Sequence, residues 1–240
     1  MPKLVWDEPG DRQYETGLRK GVLYPGEGYG IYLPGVPWNG LISVNEKSSG
    51  GTTTPVYSDN IKYLNLNVME EFEATLEAFT YPEEFGECDG SSEIAKGVVV
   101  GQQNRKPFGL SYVTTVGNDV SGLEYGYKIH ILYGATAAPS ERAYATINND
   151  PDAITLSWDI SCVPVAIQGL IPFSSIVIDS TRIIESKIKS LEDILYGTAS
   201  TYPRIPDVDE IFNIVTNNIK DNTNADLLDS NGSILIDNYK

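Results

Sequence analysis

From Ile154 the chain alternates: Ile154, Leu156, Trp158, Ile160 and Cys162 are apolar, while Thr155, Ser157, Asp159 and Ser161 between them are small and polar. Period-two alternation marks a strand with one face in a core and one in water. The stretch Ala153–Ala166 is therefore predicted as a strand, the alternating part spanning about 30 Å at about 3.3 Å per residue. The pattern returns at Glu71–Tyr81, where Phe72, Ala74, Leu76 and Ala78 face one way and Glu71, Glu73, Thr75 and Glu77 the other. Glu, Ala and Leu also suit a helix, but the unbroken alternation with Thr75, Phe79 and Thr80 argues for a strand. Three carboxylates on one strand face repel one another, so that face must meet water.

Further strands are predicted at Gly21–Tyr24, Gly40–Asn45, Val56–Tyr57, Ile61–Val68, Val98–Val100, Phe108–Val116, Tyr125–Ala135, Ala143–Asn148 and Ile176–Asp179. Gly, Pro and Asn-Asp turns separate them. Glu46–Thr54 is polar and glycine-rich and reads as a long hairpin loop; Phe85–Ser92 reads as a loop. The period then changes. Ile183, Ile184, Ile188, Leu191, Ile194 and Leu195 recur at three- and four-residue spacing before Gly197, which predicts one amphipathic helix over about 183–196. One apolar stripe needs a sheet to cover. Pro203 to Pro206 reads as a linker, Asp207–Asn217 as a short second helix, and Lys220–Lys240 as a tail that is disordered or orders against another copy. The expected division is a β-domain over 1–197 and a linker, helix and arm over 198–240. No repeat of 20–50 residues is present.

Composition agrees with a mainly β globular chain: 240 residues with 15 Tyr, 22 Gly and 14 Pro. The net charge of −16, from 33 acids against 17 bases, argues against a protein that grips nucleic acid, because neutralising phosphates needs clustered Lys and Arg. It suits a soluble surface or one that lets a polyanion pass. Met1-Pro-Lys-Leu-Val-Trp-Asp7 has no apolar run of the signal-peptide kind, and no window predicts a membrane span. Cys88 and Cys162 form no framework; Cys162 continues an apolar strand face, and no disulfide is expected.

Catalytic and metal-binding sets are hard to assemble. His130 is the one histidine, and a lone imidazole between Ile129 and Ile131 reads as structural. Ser111 lacks a nucleophile elbow, and zinc ligands lack their spacing. Gly26-Glu-Gly-Tyr-Gly-Ile31 has the glycines of a phosphate loop but neither its Lys nor a following helix. Glu83, Glu84, Glu87 and Asp89 cluster in sequence without the order of a calcium loop. No cofactor and no enzymatic activity are expected. Trp6, Trp38 and Trp158 leave open a carbohydrate- or receptor-binding β-sandwich, although Trp158 on an apolar strand face argues against a stacking platform.

Several stretches resemble the major tail protein, or tail tube protein, of siphophages of Gram-positive bacteria. They are Pro9-Gly-Asp-Arg-Gln-Tyr-Glu-Thr-Gly17, Gly21-Val-Leu-Tyr-Pro25, Gly35-Val-Pro-Trp-Asn-Gly-Leu41, Asp59-Asn-Ile-Lys-Tyr63, Glu87-Cys-Asp-Gly90 and Gly101-Gln-Gln103. Further along come Tyr125-Gly-Tyr-Lys-Ile-His130, Ala143-Tyr-Ala-Thr-Ile-Asn148 and Leu191-Glu-Asp-Ile-Leu-Tyr-Gly197. Their order and density over residues 9–197 carry the resemblance. It implies a tail-tube-type β-sandwich or barrel flanked by one helix, with an extended hairpin loop and a C-terminal arm. Copies would form hexameric rings stacked into a tube that conducts the genome. The partners implied are further copies, other tail proteins such as the tape measure and tail terminator, and double-stranded DNA in passage, with no membrane. The location implied is the virion tail, after assembly in the host cytoplasm. On face polarity, Glu71, Glu73, Glu77, Thr155, Ser157, Asp159 and Ser161 would line the lumen. Lys47, Ser48, Ser49, Gly50, Gly51 and Thr52 would form a loop to the next ring.

Overall fold

A computed structural model of the chain describes residues 3–28, 30–139, 142, 144, 146, 153–167 and 171–225. The strands are β1 (Gln13–Gly28), β2 (Ile31–Tyr32), β3 (Val36–Pro37), β4 (Leu41–Gly50), β5 (Thr53–Ser58), β6 (Ile61–Asn67) and β7 (Glu70–Ala78). They continue with β8 (Ser92–Ala95), β9 (Val98–Val100), β10 (Phe108–Asn118), β11 (Gly122–Pro139), β12 (Leu156–Cys162) and β13 (Ser175–Asp179). The helices are α1 (Gly86–Asp89), α2 (Glu185–Tyr196) and α3 (Val208–Ala225), with a 3-10 turn at Glu83–Phe85. The chain is mainly β, as its alternation predicts. Of the expected strand Ala143–Asn148 only Tyr144 and Thr146 are described, and the tail beyond Ala225 lies outside the described residues.

A nine-stranded antiparallel sheet dominates, in the order β2-β1-β10-β11-β12-β7-β4, with β3 on β1 and β13 on β11. β11 changes partner along its length. Lys128–Leu132 pairs with β13, and Ala135–Pro139 pairs with β12. Between them Gly134 sits at φ +59°, with Val163 O 2.7 Å from where a Cβ would stand. A side chain there would both strain the backbone and strike the neighbouring carbonyl. The bend turns β12, β7 and β4 back across β1 and β10, so one core is enclosed by two halves of one sheet.

That core holds Leu23, Leu76, Phe108, Leu110, Leu132, Trp158 and Ile160. At its centre Phe85 meets Trp38, Phe108 and Trp158 at ring separations of 4.5, 5.4 and 5.1 Å. Tilted and edge-on contacts of this kind suit the aromatic quadrupole. The opposite faces of β1, β10 and β11 present Val22, Tyr24, Val113, Ile129, Ile131 and Tyr133 to a second core, closed by Ile188, Leu191 and Leu195 of α2 and by Val208 and Ile211 of α3. The helix over α2 is as the spacing predicts, and it ends at Gly197 with φ +76°. Among the described residues no helix is long and apolar enough to cross a membrane.

Several boundaries differ from expectation. β1 runs 16 residues, because bulges at Gly17 and Lys20 carry its ladder with β10 through a stretch without clear alternation. β12 begins at Leu156, opposite Ala78 where β7 ends, so Thr155 precedes the strand. It stops at Cys162, before Pro164, which lacks an N–H for the ladder. Phe85–Ser92, expected as loop, holds part of the 3-10 turn, α1 and the start of β8. Pro203–Pro206 is packed and not a free linker: Ile205 is buried, Gly35 N–H donates to Pro203 O at 2.8 Å, and the Tyr133 hydroxyl donates to Pro206 O at 2.9 Å. The second helix extends past Asn217 to Ala225.

Candidate functional site

β4, β7, β12 and the end of β11 are antiparallel neighbours, so residues opposite one another share a face. The rows read Ser43–Glu77–Ser157, Asn45–Thr75–Asp159–Ala138 and Lys47–Glu73–Ser161–Thr136, with Ser49–Glu71 beyond. The alternate positions Ala74, Leu76, Ala78, Trp158, Ile160 and Cys162 are buried in the first core. What remains outside is a polar face four strands wide, half-buried to exposed throughout its polar positions.

Hydroxyls hold its carboxylates in place. Ser43 Oγ donates to Glu77 at 2.8 Å, Ser49 Oγ to Glu73 at 3.1 Å and Thr75 Oγ1 to Asp159 at 3.1 Å. Glu71, Glu73, Glu77 and Asp159 stand against Lys47 on these strands, leaving three negative charges per copy. A shallow groove of about 480 Å³ crosses the face between Lys47, Glu73, Asp159 and Arg105. Glu73, Glu77, Ser157, Asp159 and Ser161 thus come together as the alternation implied; Glu71 lies at the end of the face and Thr155 outside the strand. Ser43, Asn45, Lys47, Ser49 and Thr136 were not foreseen on it. Ser43 and Asn45 alternate with Ile42 and Val44, a signal too short to read alone.

Both margins of this face are open. Among the described residues β4 pairs with β7 alone, and Thr136–Pro139 of β11 pairs with β12 alone, because the ladder with β10 ends at Phe108 opposite Ala135. Open edges are templates for another strand.

Lys47–Thr52 is not the loop that its composition suggested. Lys47–Gly50 continues β4 against Glu70–Glu73, because strand pairing supplies the backbone partners that its polar side chains do not. Gly50 at φ +85° and Gly51 at φ +64° form a joint; Val68 N–H then donates to Thr52 O at 3.0 Å, and the β5–β6 ladder carries on. The whole of Leu41–Ala78 is one long hairpin, turned at Asp59 and Asn60, both with positive φ as a tight two-residue turn requires. Its outer part exposes Tyr57, Ile61, Tyr63, Leu66 and Val68, apolar surface of the kind that awaits a partner.

Other candidates resolve differently. Trp38 and Trp158 are buried, and Trp6 is exposed, which removes two of three possible sugar platforms. The Trp158 indole donates to Asp89 Oδ1 at 2.8 Å, and Arg142 reaches Asp89 Oδ2 at 2.6 Å. Asp89 is therefore a buried acceptor, a role that the sequence did not signal, while Glu87 pairs with Lys106 at 2.6 Å. Among the described residues no group of His, Cys, Asp and Glu converges as metal ligands would. Burial pushes the thiols of Cys88 and Cys162 up to about 12, so both stay neutral and unreactive.

No family model matches the sequence, and no curated protein does. Twelve chains of solved structures are similar in part, three of which follow. A sheath–tube complex of an extracellular contractile injection system (PVC, extended state) is 13% identical, over 72% of this chain and 93% of that one, at a TM-score of 0.28. The baseplate of the anti-feeding prophage is 7% identical, over 75% and 100%, at 0.32. The sheath/tube terminator of the PVC system is 12% identical, over 73% and 99%, at 0.24. At such TM-scores these likenesses carry no argument, and the functional reading rests on the sheet itself.

Proposed function

We propose that copies of this chain join side by side, β4 of one against the Thr136–Pro139 edge of the next, into rings that stack as the tube of a phage tail. The observation that carries the reading is an acidic, hydrogen-bonded face bounded on both sides by unpaired strand edges. Closing such a sheet on itself removes both edges at once. Following the resemblance to siphophage tail proteins, six copies of four strands give about 24 strands. At about 4.8 Å spacing and about 40° tilt the barrel is about 48 Å across at the backbone, room for a DNA duplex of about 20 Å inside its side chains.

Glu71, Glu73, Glu77, Ser157, Asp159 and Ser161 then face the lumen with Thr155 at its rim, and their carboxylates repel passing DNA over about 8 Å at physiological salt. The genome slides and is not held. The hairpin reaches the next ring, with Lys47–Thr52 at its joint and the apolar tip buried on assembly; the segment after Ala225 provides a second tie. Tape measure and terminator proteins are the partners expected in the virion tail. The tube does no bond chemistry.

Negative-stain imaging and size-exclusion chromatography of the purified full chain test this. Rings or tubes with a central channel are expected. A monomer that persists at high concentration overturns the reading, and one that binds glycan arrays replaces it with the lectin.

A further inference from the structure

The chain's single histidine sits where four strands meet. His130 of β11 stacks on Tyr112 of β10, ring centres 4.7 Å apart and planes 6° from parallel. Its Nε2 lies 2.9 Å from Thr114 Oγ1 and 3.4 Å from Glu15 Oε1 of β1. Its Nδ1 lies 3.5 Å from Glu46 Oε1 of β4 and, though buried, has no hydrogen-bond partner.

Counting donors assigns the ring's protons. Thr114 gives its hydroxyl proton to Glu15 Oε1 at 2.5 Å, so toward the ring it offers a lone pair, and Nε2 carries the hydrogen. In a neutral imidazole Nδ1 is then bare. It faces Glu46 Oε1, which accepts from the Tyr112 hydroxyl and has nothing to donate. A proton on Nδ1 turns this confrontation of lone pairs into a charge-assisted hydrogen bond. Glu46 also stands at the root of the hairpin, opposite Ala74, and lines a groove of about 650 Å³ with Ser48, Met69, Phe72 and Phe173. The groove gives the carboxylate somewhere to swing.

We propose that His130 is a proton-operated latch: its imidazolium holds Glu46, and with it the hairpin root, against β10 and β11, and loss of the proton lets the root loosen. This stands whether or not the chain forms a tube.

The charged and titratable groups around the ring are Glu15, Glu46, Tyr112 and Lys128, with the Cys162 thiol beyond Glu46. Contacts with His130 and Tyr112 hold the Glu46 carboxyl below the usual range against the opposing effect of burial. Burial and the neighbouring carboxylate push the Tyr112 phenol far up. Lys128 donates to Glu15 Oε2 at 2.5 Å. Glu46 is held in its ionised form by its contacts, so a proton on Nδ1 meets a carboxylate and closes the latch, and its loss opens it.

With one histidine, long-range proton–nitrogen NMR of the full chain reads both ring nitrogens directly. Hydrogen exchange of peptides covering 44–50 and 70–74, corrected for intrinsic pH dependence, reads the root. We expect protection there to fall about tenfold between pH 5 and 9, in step with loss of the Nδ1 proton. Glu46→Gln supplies an amide donor to the bare Nδ1, so its exchange should no longer depend on the ring's titration. A wild-type root whose protection stays within about twofold while the ring titrates overturns the latch. So does a ring that keeps one charge state across this range.

Discussion

Asp159→Lys is the sharpest test of the acidic face. The carboxylate is exposed and accepts one hydrogen bond, from Thr75 Oγ1 at 3.1 Å, so its loss costs less than about 1 kcal/mol. The new ammonium has Thr75 and Ala138 as its direct cross-strand neighbours, and Glu73 lines the same groove as Lys47 and Arg105 to offset their repulsion. Assembly should survive. Electrostatically the change is large: the strand face goes from three net negative charges to one per copy, a gain of about twelve positive charges around a ring of six. Each phosphate that a new lysine neutralises steepens the fall of log affinity with log salt by about 0.9. Wild-type tubes should retain no short DNA duplex at about 50 mM salt, and Asp159→Lys tubes should retain it and release it steeply by about 200 mM. Asp193→Lys on exposed α2 makes the same charge change on the helical side and should leave retention unchanged. Filter binding on tubes verified by imaging gives the measurement. Intact Asp159→Lys tubes that hold no more duplex than wild type would refute the assignment of this face to the lumen.

Three further outcomes follow from the core and its charges. Trp158→Ala, at a fully buried side chain ringed by Trp38, Tyr81 and Phe85, should destabilise the fold by about 3–5 kcal/mol in denaturant unfolding; a loss below about 1 kcal/mol would contradict this packing. Arg142→Ala leaves the Asp89 carboxylate, 4% exposed, without its cation and should cost about 2–3 kcal/mol; adding Asp89→Asn should recover part of it, since the amide oxygen still accepts from Trp158, and a double variant no better than Arg142→Ala would refute the pairing. Glu15, Glu46 and Glu210 all titrate below the ordinary value of 4.5: Lys128 and Thr114 outweigh burial at Glu15, His130 leads at Glu46, and Arg204 leads at Glu210. Their stabilisation is complete above that value and is lost as pH falls through the folded-state ones, so the thermal midpoint should drop below pH 4.5, less steeply in Glu210→Gln; equal slopes would refute that pair's share.

Legibility followed the period of the pattern. β7 and β12 were readable because one face is core and the other solvent along their whole length. α2 was readable because its stripe of Ile188, Leu191 and Leu195 is buried on one side only. β4 was readable to Asn45 and then lost, because Glu46 and Ser48 put polar residues where the alternation needs apolar ones, Glu46 meeting His130 and Tyr112 instead. Beyond Gly50 the expected strands Val56–Tyr57 and Ile61–Val68 lie within or close to β5 and β6, whereas Lys47–Gly50 was missed because its polar, glycine-containing stretch carries no alternation. Asp89 was unreadable for another reason: its partners Arg142 and Trp158 are 53 and 69 residues away, and only the fold brings them together.

The same division explains why one half of the sheet has a face to offer. Gly21–Gly26 of β1, most of β10 and Ile129–Tyr133 of β11 are buried on both sides, between the aromatic core and the helices, so their side chains are committed to packing. β4, β7 and β12 carry the aromatic core on one side, and their other face is half-buried to exposed among the described residues. A sheet covered on one face only must make the other face polar to stay soluble, and it must also manage its edges. β4 does not blunt its edge with proline, and its mixed Ser, Asn and Lys surface is too short of charge to repel a partner strand. A protein meant to remain single would have closed that edge or capped it with a helix, and here the helices sit on the opposite side. In the proposed assembly this margin is the place where the next copy begins, and among the described residues β4 pairs with β7 alone.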